Sequence, residues 1–221
     1  MQTPAPLKRP KNRKHQMNDA IFYDTETTGL PLFNEPSEHP AQPHIVQLAA
    51  CLVDLDTRHT IASMDVIIQP DGWTISEEVA AIHGITTEHA RAVGVPAKLA
   101  LQMFLELATG RKRIAHNEQF DARLVRIALL RHFNAEMADE WKAGDSECTQ
   151  RLATPILKLP PTAKMKAVGR NHFKSANLGE CVQHFTGKPL ENAHSAMADV
   201  KGCMDVYFAI QDLKQQQPLS A

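Results

Sequence analysis

Three short stretches of this chain hold acids where an acid needs a reason to be. The first is I-F-Y-D-T-E-T-T-G at 21–29. Asp24 and Glu26 end an apolar run there, and Gly29 breaks the chain just after. Strand side chains alternate with period two, so Phe22, Asp24 and Glu26 share one face while Ile21, Tyr23 and Thr25 share the other. Two carboxylates on one half-buried face repel each other and lose hydration. Either the strand end emerges into water, or cations sit between the acids. The second stretch is H-N-E-Q-F-D at 116–121. It puts Asp121 in the first turn of a helix, where the helix dipole by itself favours an acid. The third is H-S-A-M-A-D at 194–199. Five residues turn a helix through about 500°, so His194 and Asp199 share no clean helical face. His194 therefore belongs just before the helix and Asp199 inside it. Ala193, Ala196 and Ala198 keep that neighbourhood thin, which lets the helix approach a sheet. Taken singly, each acid has an ordinary explanation as a solvated strand end, a dipole compensator or a solvated helix residue.

The elements around these stretches decide whether they meet. Residues 20–26 read as a short strand, 30–43 with four prolines as a long loop, and 44–55 and 60–70 as strands joined by a hairpin turn. From Ser76 the apolar period becomes helical, with Ser76 as a start signal and Thr86 or Thr87 as a second one. Pro96 opens an amphipathic run that Gly110 ends. Residues 112–117 read as a strand and 118–133 as a helix with Leu124, Ile127, Ala128 and Leu130 on its apolar side. A last short strand is expected at 147–150, a loop over 158–176, and helices near 177–186 and 195–213. Three strands followed by alternating helices and strands predict one α/β or α+β domain with a mixed sheet.

In order, D-x-E before T-T-G, then H-N-x-x-F-D, then H-x-x-x-x-D resembles the DEDDh group of DnaQ-like 3′–5′ exonucleases, which includes the proofreading exonuclease domain of bacterial DNA polymerase III. A-I-H-G-I-T at 81–86 is similar to a segment common in that family, and the likeness runs from about 20 to 210. The resemblance implies an RNase H-like fold, α/β, with a mixed five-stranded sheet flanked by helices. It implies two Mg²⁺ ions, with Mn²⁺ able to substitute, held by Asp24, Glu26, Asp121 and Asp199. Such ions prefer carboxylate oxygen and, roughly 3.5–4 Å apart, clamp an in-line phosphoryl displacement. His194 is implied as the general base, a task its ordinary pKa near ~6.5 suits. Thr27, Leu30, His116, Asn117 and Phe120 are implied as substrate contacts, Leu30 as an apolar wedge at the terminal base. His116 is equally readable as a structural polar residue and Phe120 as core. His83 stands like His116. Phe33, His172 and Phe173 fall in loops where they are placed to stack bases.

The expected activity is removal of nucleoside 5′-monophosphates from DNA 3′ ends, single-stranded or frayed. An RNA-trimming or oligoribonuclease-like exonuclease is the alternative, and a non-catalytic nucleic-acid scaffold is a second one. Nucleic acid is the expected partner, with no membrane. The bulk numbers fit a folded protein: 221 residues, 43% hydrophobic and 22% charged. Four cysteines without a C-x-x-C pair predict a reducing, cytoplasmic setting. No signal peptide or membrane span is legible. The net charge is −1, but residues 1–19 carry five cations and one acid, so the remainder carries −5. The expected division is a basic disordered tail over 1–18, an exonuclease domain over 19–213 and a second tail over 214–221. The chain stops soon after the third motif, which suggests a stand-alone enzyme rather than a replicase subunit. Lys158, Lys164, Lys166, Arg170 and Lys174 form a basic stretch without an acid. It reads either as a solvated face or as a phosphate-backbone contact.

Overall fold

A computed structural model of the chain describes residues 18–216. Of the tails expected over 1–18 and 214–221, residues 1–17 and 217–221 lie outside the described residues. Asn18, assigned to the first tail, is already tied to the fold. Its carbonyl accepts from the Leu55 amide at 2.8 Å and its Nδ2 donates to Asp56 at 2.8 Å.

The centre is a mixed sheet of five strands in the order β3-β2-β1-β4-β5. The strands are β1 (Asp19–Thr27), β2 (Ile45–Asp54), β3 (Thr60–Ile67), β4 (Lys112–Ala115) and β5 (Ser146–Cys148). β2 runs antiparallel to β1 and β3, while β4 runs parallel to β1 and β5. This is the RNase H-like arrangement that the resemblance implies. Alternation along β1 sorts two cores. Ile21 and Tyr23 face a layer built by α3 (Ala97–Ala108), α4 (Glu118–His132) and α5 (Ala135–Ala143), where Phe104, Leu124 and Trp141 are buried. Ala20 and Phe22 face α9 (Ala196–Gln216), where Val200, Cys203 and Tyr207 are buried. Ala49 and Cys51 lie opposite Asp24 and Phe22 in β2, and these small residues let α9 approach.

The two short helices α1 (Glu77–His83) and α2 (Thr87–Val93) start where side-chain caps allow. Ser76 Oγ accepts from Val79 N–H, and Thr86 Oγ1 accepts from His89 N–H. α8 (Leu178–Thr186) opens with a reciprocal box in which Asn177 and Glu180 cap each other's backbone. Among the described residues, no helix is long and apolar enough to cross a membrane.

Several boundaries differ from the sequence reading. β3 ends at Ile67 rather than Pro70, and Ile68 instead bridges to Val95. The strand expected over 147–150 keeps only two of those residues, because Thr149 opens α6 (Thr149–Leu157). α5, α6 and α7 (Ala163–Ala167) were not expected. α5 buries only Ala138 and Trp141 and α7 buries no residue, so neither offers a clear helical stripe, while α6 has an apolar side with Leu152, Ala153 and Leu157 but carries Pro155 inside it. α9 continues to Gln216, past the boundary expected at 213.

Candidate active site

The carboxyl end of β1 carries Asp24 and Glu26, both half-buried on the face that α9 covers. α4 brings Asp121 to the same end from the other side. Its Oδ1 accepts two hydrogen bonds from Thr25, from the amide at 3.0 Å and from the hydroxyl at 2.7 Å. The first turn of α9 brings Asp199, and the chain enters that helix through exposed His194 at φ 68°. The His194 amide donates to Asp199 Oδ2 at 3.3 Å. Ligand atoms of Glu26, His194 and Asp199 all lie within 4.8 Å of one another. The five residues of the three motifs thus gather at one end of the sheet.

The charges in this cluster conflict. Burial pushes Asp24 well above the usual carboxylate range, and the charges of Asp121, Asp199 and Glu26 push it further. Burial and then Asp199 raise Glu26 to about 7. Burial raises Asp121 to about 7 although both Thr25 hydrogen bonds pull it down. Asp199 is raised by burial, and His194 offsets part of that. Asp199 Oδ1 is buried without a hydrogen-bond partner. Four crowded hard oxygen donors, one of them unpartnered, fit divalent cations of the Mg²⁺ or Mn²⁺ kind.

The other sequence-predicted contacts are placed differently. Leu30 is 78% exposed just past β1. Its loop is pinned. Gln42, only 2% exposed, exchanges hydrogen bonds with Leu32 at 2.9 and 3.0 Å, and Arg123, Arg126 and Arg131 of α4 hold Glu35, Ser37 and Pro43. Thr27 spends its hydroxyl on the Gly29 carbonyl at 2.8 Å. Gly29 adopts φ 156°, which favours glycine, and so ends the strand. Asn117 is exposed at φ 63° ahead of α4. Phe120 is half-buried against the α3–α5 core.

His116 departs most from expectation. Its Nε2–H donates to the Ala176 carbonyl at 3.1 Å, and its Nδ1 accepts from the Thr149 hydroxyl at 2.9 Å. Burial lowers its pKa and so favours the neutral ring, while the hydrogen bond to Ala176 opposes the shift. Both ring nitrogens are thus engaged within the protein, the arrangement that the structural alternative for His116 calls for. His83 has Nδ1 accepting from the Ile85 amide at 3.1 Å and a buried Nε2.

Three positioning residues were not read from the sequence. Thr25 fixes Asp121, as described. Gln47 faces Glu26 across the β1–β2 pair. Its Oε1 accepts from the Ala196 amide at 3.2 Å and its Nε2 donates to Asp65 at 2.7 Å, so it docks the start of α9. A lone glutamine inside I-V-Q-L-A-A-C-L-V was the available signal. Glu118 is buried beside Asp121, with the Tyr23 hydroxyl donating to it at 3.4 Å. Its place at a helix start concealed it among ordinary dipole-compensating acids.

The profile of the RNase_T family, described as exonuclease, matches residues 21–207. Solved structures of Escherichia coli exonuclease I have the same fold. A zinc-bound complex with single-stranded DNA superposes with a TM-score of 0.68 at 20% identity, covering 91% of this chain and 42% of that one. A complex with a dT13 oligonucleotide gives 0.68 at 22% identity over 91% and 42% of the two chains. One with a dA16 oligonucleotide gives 0.66 at 21% identity over 88% and 41%. The chain thus spans about two fifths of the length of exonuclease I. No curated protein matches it in sequence.

Proposed function

The chain belongs to the RNase_T exonuclease family, of the DnaQ-like superfamily, and on that premise we propose that it is a divalent-metal-dependent 3′–5′ exonuclease acting on single-stranded or frayed DNA ends. One observation carries the reading. Asp24, Glu26, Asp121 and Asp199 converge from three elements, each raised by burial, with His194 beside Asp199. A cluster so short of positive charge is built to be completed by cations. When bound, two Mg²⁺ ions supply Lewis acidity to an in-line displacement at phosphorus. Asp24 would serve both ions, Glu26 and Asp199 would hold one of them, and Asp121 would help hold the other. His194, exposed beside Asp199, takes a proton from the attacking water at its ring nitrogen. The water oxygen bonds to phosphorus, the bond from phosphorus to the preceding 3′ oxygen breaks, and that oxygen takes up a proton. A nucleoside 5′-monophosphate leaves.

Exposed Leu30, on a pinned loop, wedges against the terminal base, and the Thr27 and Asn117 backbones face the terminal sugar and phosphate. The exonuclease I structures with bound DNA oligonucleotides favour DNA as the substrate. The test is a pair of matched 5′-labelled single strands, one DNA and one RNA, incubated with Mg²⁺ or with EDTA. Shortening of the DNA strand from its 3′ end, faster than the RNA, is expected. A ladder on RNA alone would transfer the chain to the RNA-trimming class.

A further inference from the structure

A strand of nucleic acid is a polyanion, and this chain offers it a poor welcome. The site is four carboxylates, and residues 20–221 carry −5. Some local surface must attract the phosphates that lead to the 3′ end.

We infer that residues 159–174 form an electropositive arm that carries the single-stranded DNA upstream of the reacting 3′ end. The inference rests on the proposed exonuclease reading. Its first support is charge. Residues 158–176 hold Lys158, Lys164, Lys166, Arg170 and Lys174 and no acid. Lys174 pairs with Glu180. Lys158, Lys164, Lys166 and Arg170 are exposed, and none makes an ion pair among the described residues. A solvated face would be expected to intersperse acids among them.

The second support is placement. The excursion is closed at its foot, where the Lys174 amide donates to the Leu159 carbonyl at 3.0 Å. Two residues on, the Ala176 carbonyl accepts from His116 Nε2 at 3.1 Å and from Gln150 Nε2 at 3.2 Å. β1 and β4 pair in parallel with Phe22 opposite Ile114. Two residues on from this last pair stand Asp24, within β1, and His116, just past the end of β4. The arm is therefore rooted beside the carboxyl end of β4, next to the strand that carries Asp24, and His116 serves as its anchor. The third support is that the arm exposes apolar surface, with Phe173 at 46% and Val168 at 66%. Cations beside an exposed aromatic ring are what a single strand recognises, backbone on charge and base on ring.

The decisive variant is Lys164→Ala/Lys166→Ala/Arg170→Ala, all at exposed positions. Two readouts separate this inference from the reading beneath it. Binding of a labelled oligothymidylate is measured in EDTA, where no cleavage is expected. Hydrolysis of the 4-nitrophenyl ester of thymidine 5′-monophosphate, which has no upstream strand, is measured in Mg²⁺. Each lost phosphate contact lowers the slope of log affinity against log salt by about 0.7, so the triple variant should lose about 2. Between about 50 and 200 mM salt, wild-type affinity should then fall roughly 18-fold further than the variant's. Ester hydrolysis should stay within about twofold of wild type. An unchanged salt slope and affinity overturn the arm. An ester hydrolysed by no form of the protein overturns the exonuclease reading, while the binding data still decide the arm.

Discussion

Asp24 is the acid on which the charges of the site converge. It is pressed by burial and by three other acids. A neutral isostere should therefore relieve the fold and disable the site together. Asp24→Asn is expected to raise the thermal midpoint of the metal-free protein near about pH 7.5 while abolishing turnover. A lower midpoint in EDTA would mean that the acids are not in conflict. Asp199→Ala should also abolish turnover, with circular dichroism unchanged. His194 lies outside the helix and is exposed, so its loss costs the fold little. His194→Ala should slow cleavage by about 10²–10⁴-fold, the usual size of a general-base contribution. A rate within about twofold of wild type would exclude it as the base. The acids and His194 were legible because their spacing is a motif. The engagement of His116 was not, since its partners Thr149 and Ala176 are distant in sequence and are delivered by elements the sequence reading passed over.

At the scale of elements, catalysis depends on how closely α9 meets the sheet. Gln47 secures its first amide, and α8 packs against its middle. Gln47→Ala removes two hydrogen bonds and should cost about 1–3 kcal/mol of stability, by chemical denaturation. It should also lower kcat, because Asp199 and His194 are placed by the same turn. Gln47→Glu keeps the acceptor for Ala196 yet adds an acid beside Glu26, so it should recover less than a neutral acceptor would. A Cβ on Gly202 would sit 2.9 Å from Leu190 and 3.2 Å from Val182. Gly202→Val should therefore destabilise by about 1–3 kcal/mol through overpacking. β1, β2, β3 and the two long helices were legible from their apolar runs and the start and stop signals that bound them. α6 was hidden by Pro155, and α7 by a stretch in which capping by Thr162, not apolar spacing, forms the helix.

For the whole molecule, the site taxes stability in a way that pH and metal reveal. Glu26 and Asp121 hold protons up to about 7 in the folded chain, far above their ordinary range. Between about pH 4 and 7 the folded state therefore binds more protons than the unfolded state, and these groups' contribution to stability falls as pH rises. Divalent cations bound at the folded, deprotonated site would reverse that loss. Mg²⁺ should thus raise the thermal midpoint near about pH 7.5 and scarcely alter it near about pH 5. Equal shifts at both values would place the binding elsewhere. The fold class was legible in full, since a mixed sheet follows from strand order and motif order. The net charge of −1 averages an acidic site and a basic arm away, but the acidic motifs and the acid-free basic stretch over 158–176 were each legible residue by residue. What was not legible is the Lys174–Leu159 hydrogen bond that closes that stretch at its foot.

The measurement that bears most directly on the central claim is a side-by-side digestion of 5′-labelled single-stranded DNA by wild-type protein and by Asp24→Asn, each in Mg²⁺ and in EDTA. The expected result is a ladder shortening from the 3′ end with wild-type protein in Mg²⁺ alone. A ladder in EDTA, or one made by Asp24→Asn at the wild-type rate, would contradict a nuclease built on these four carboxylates.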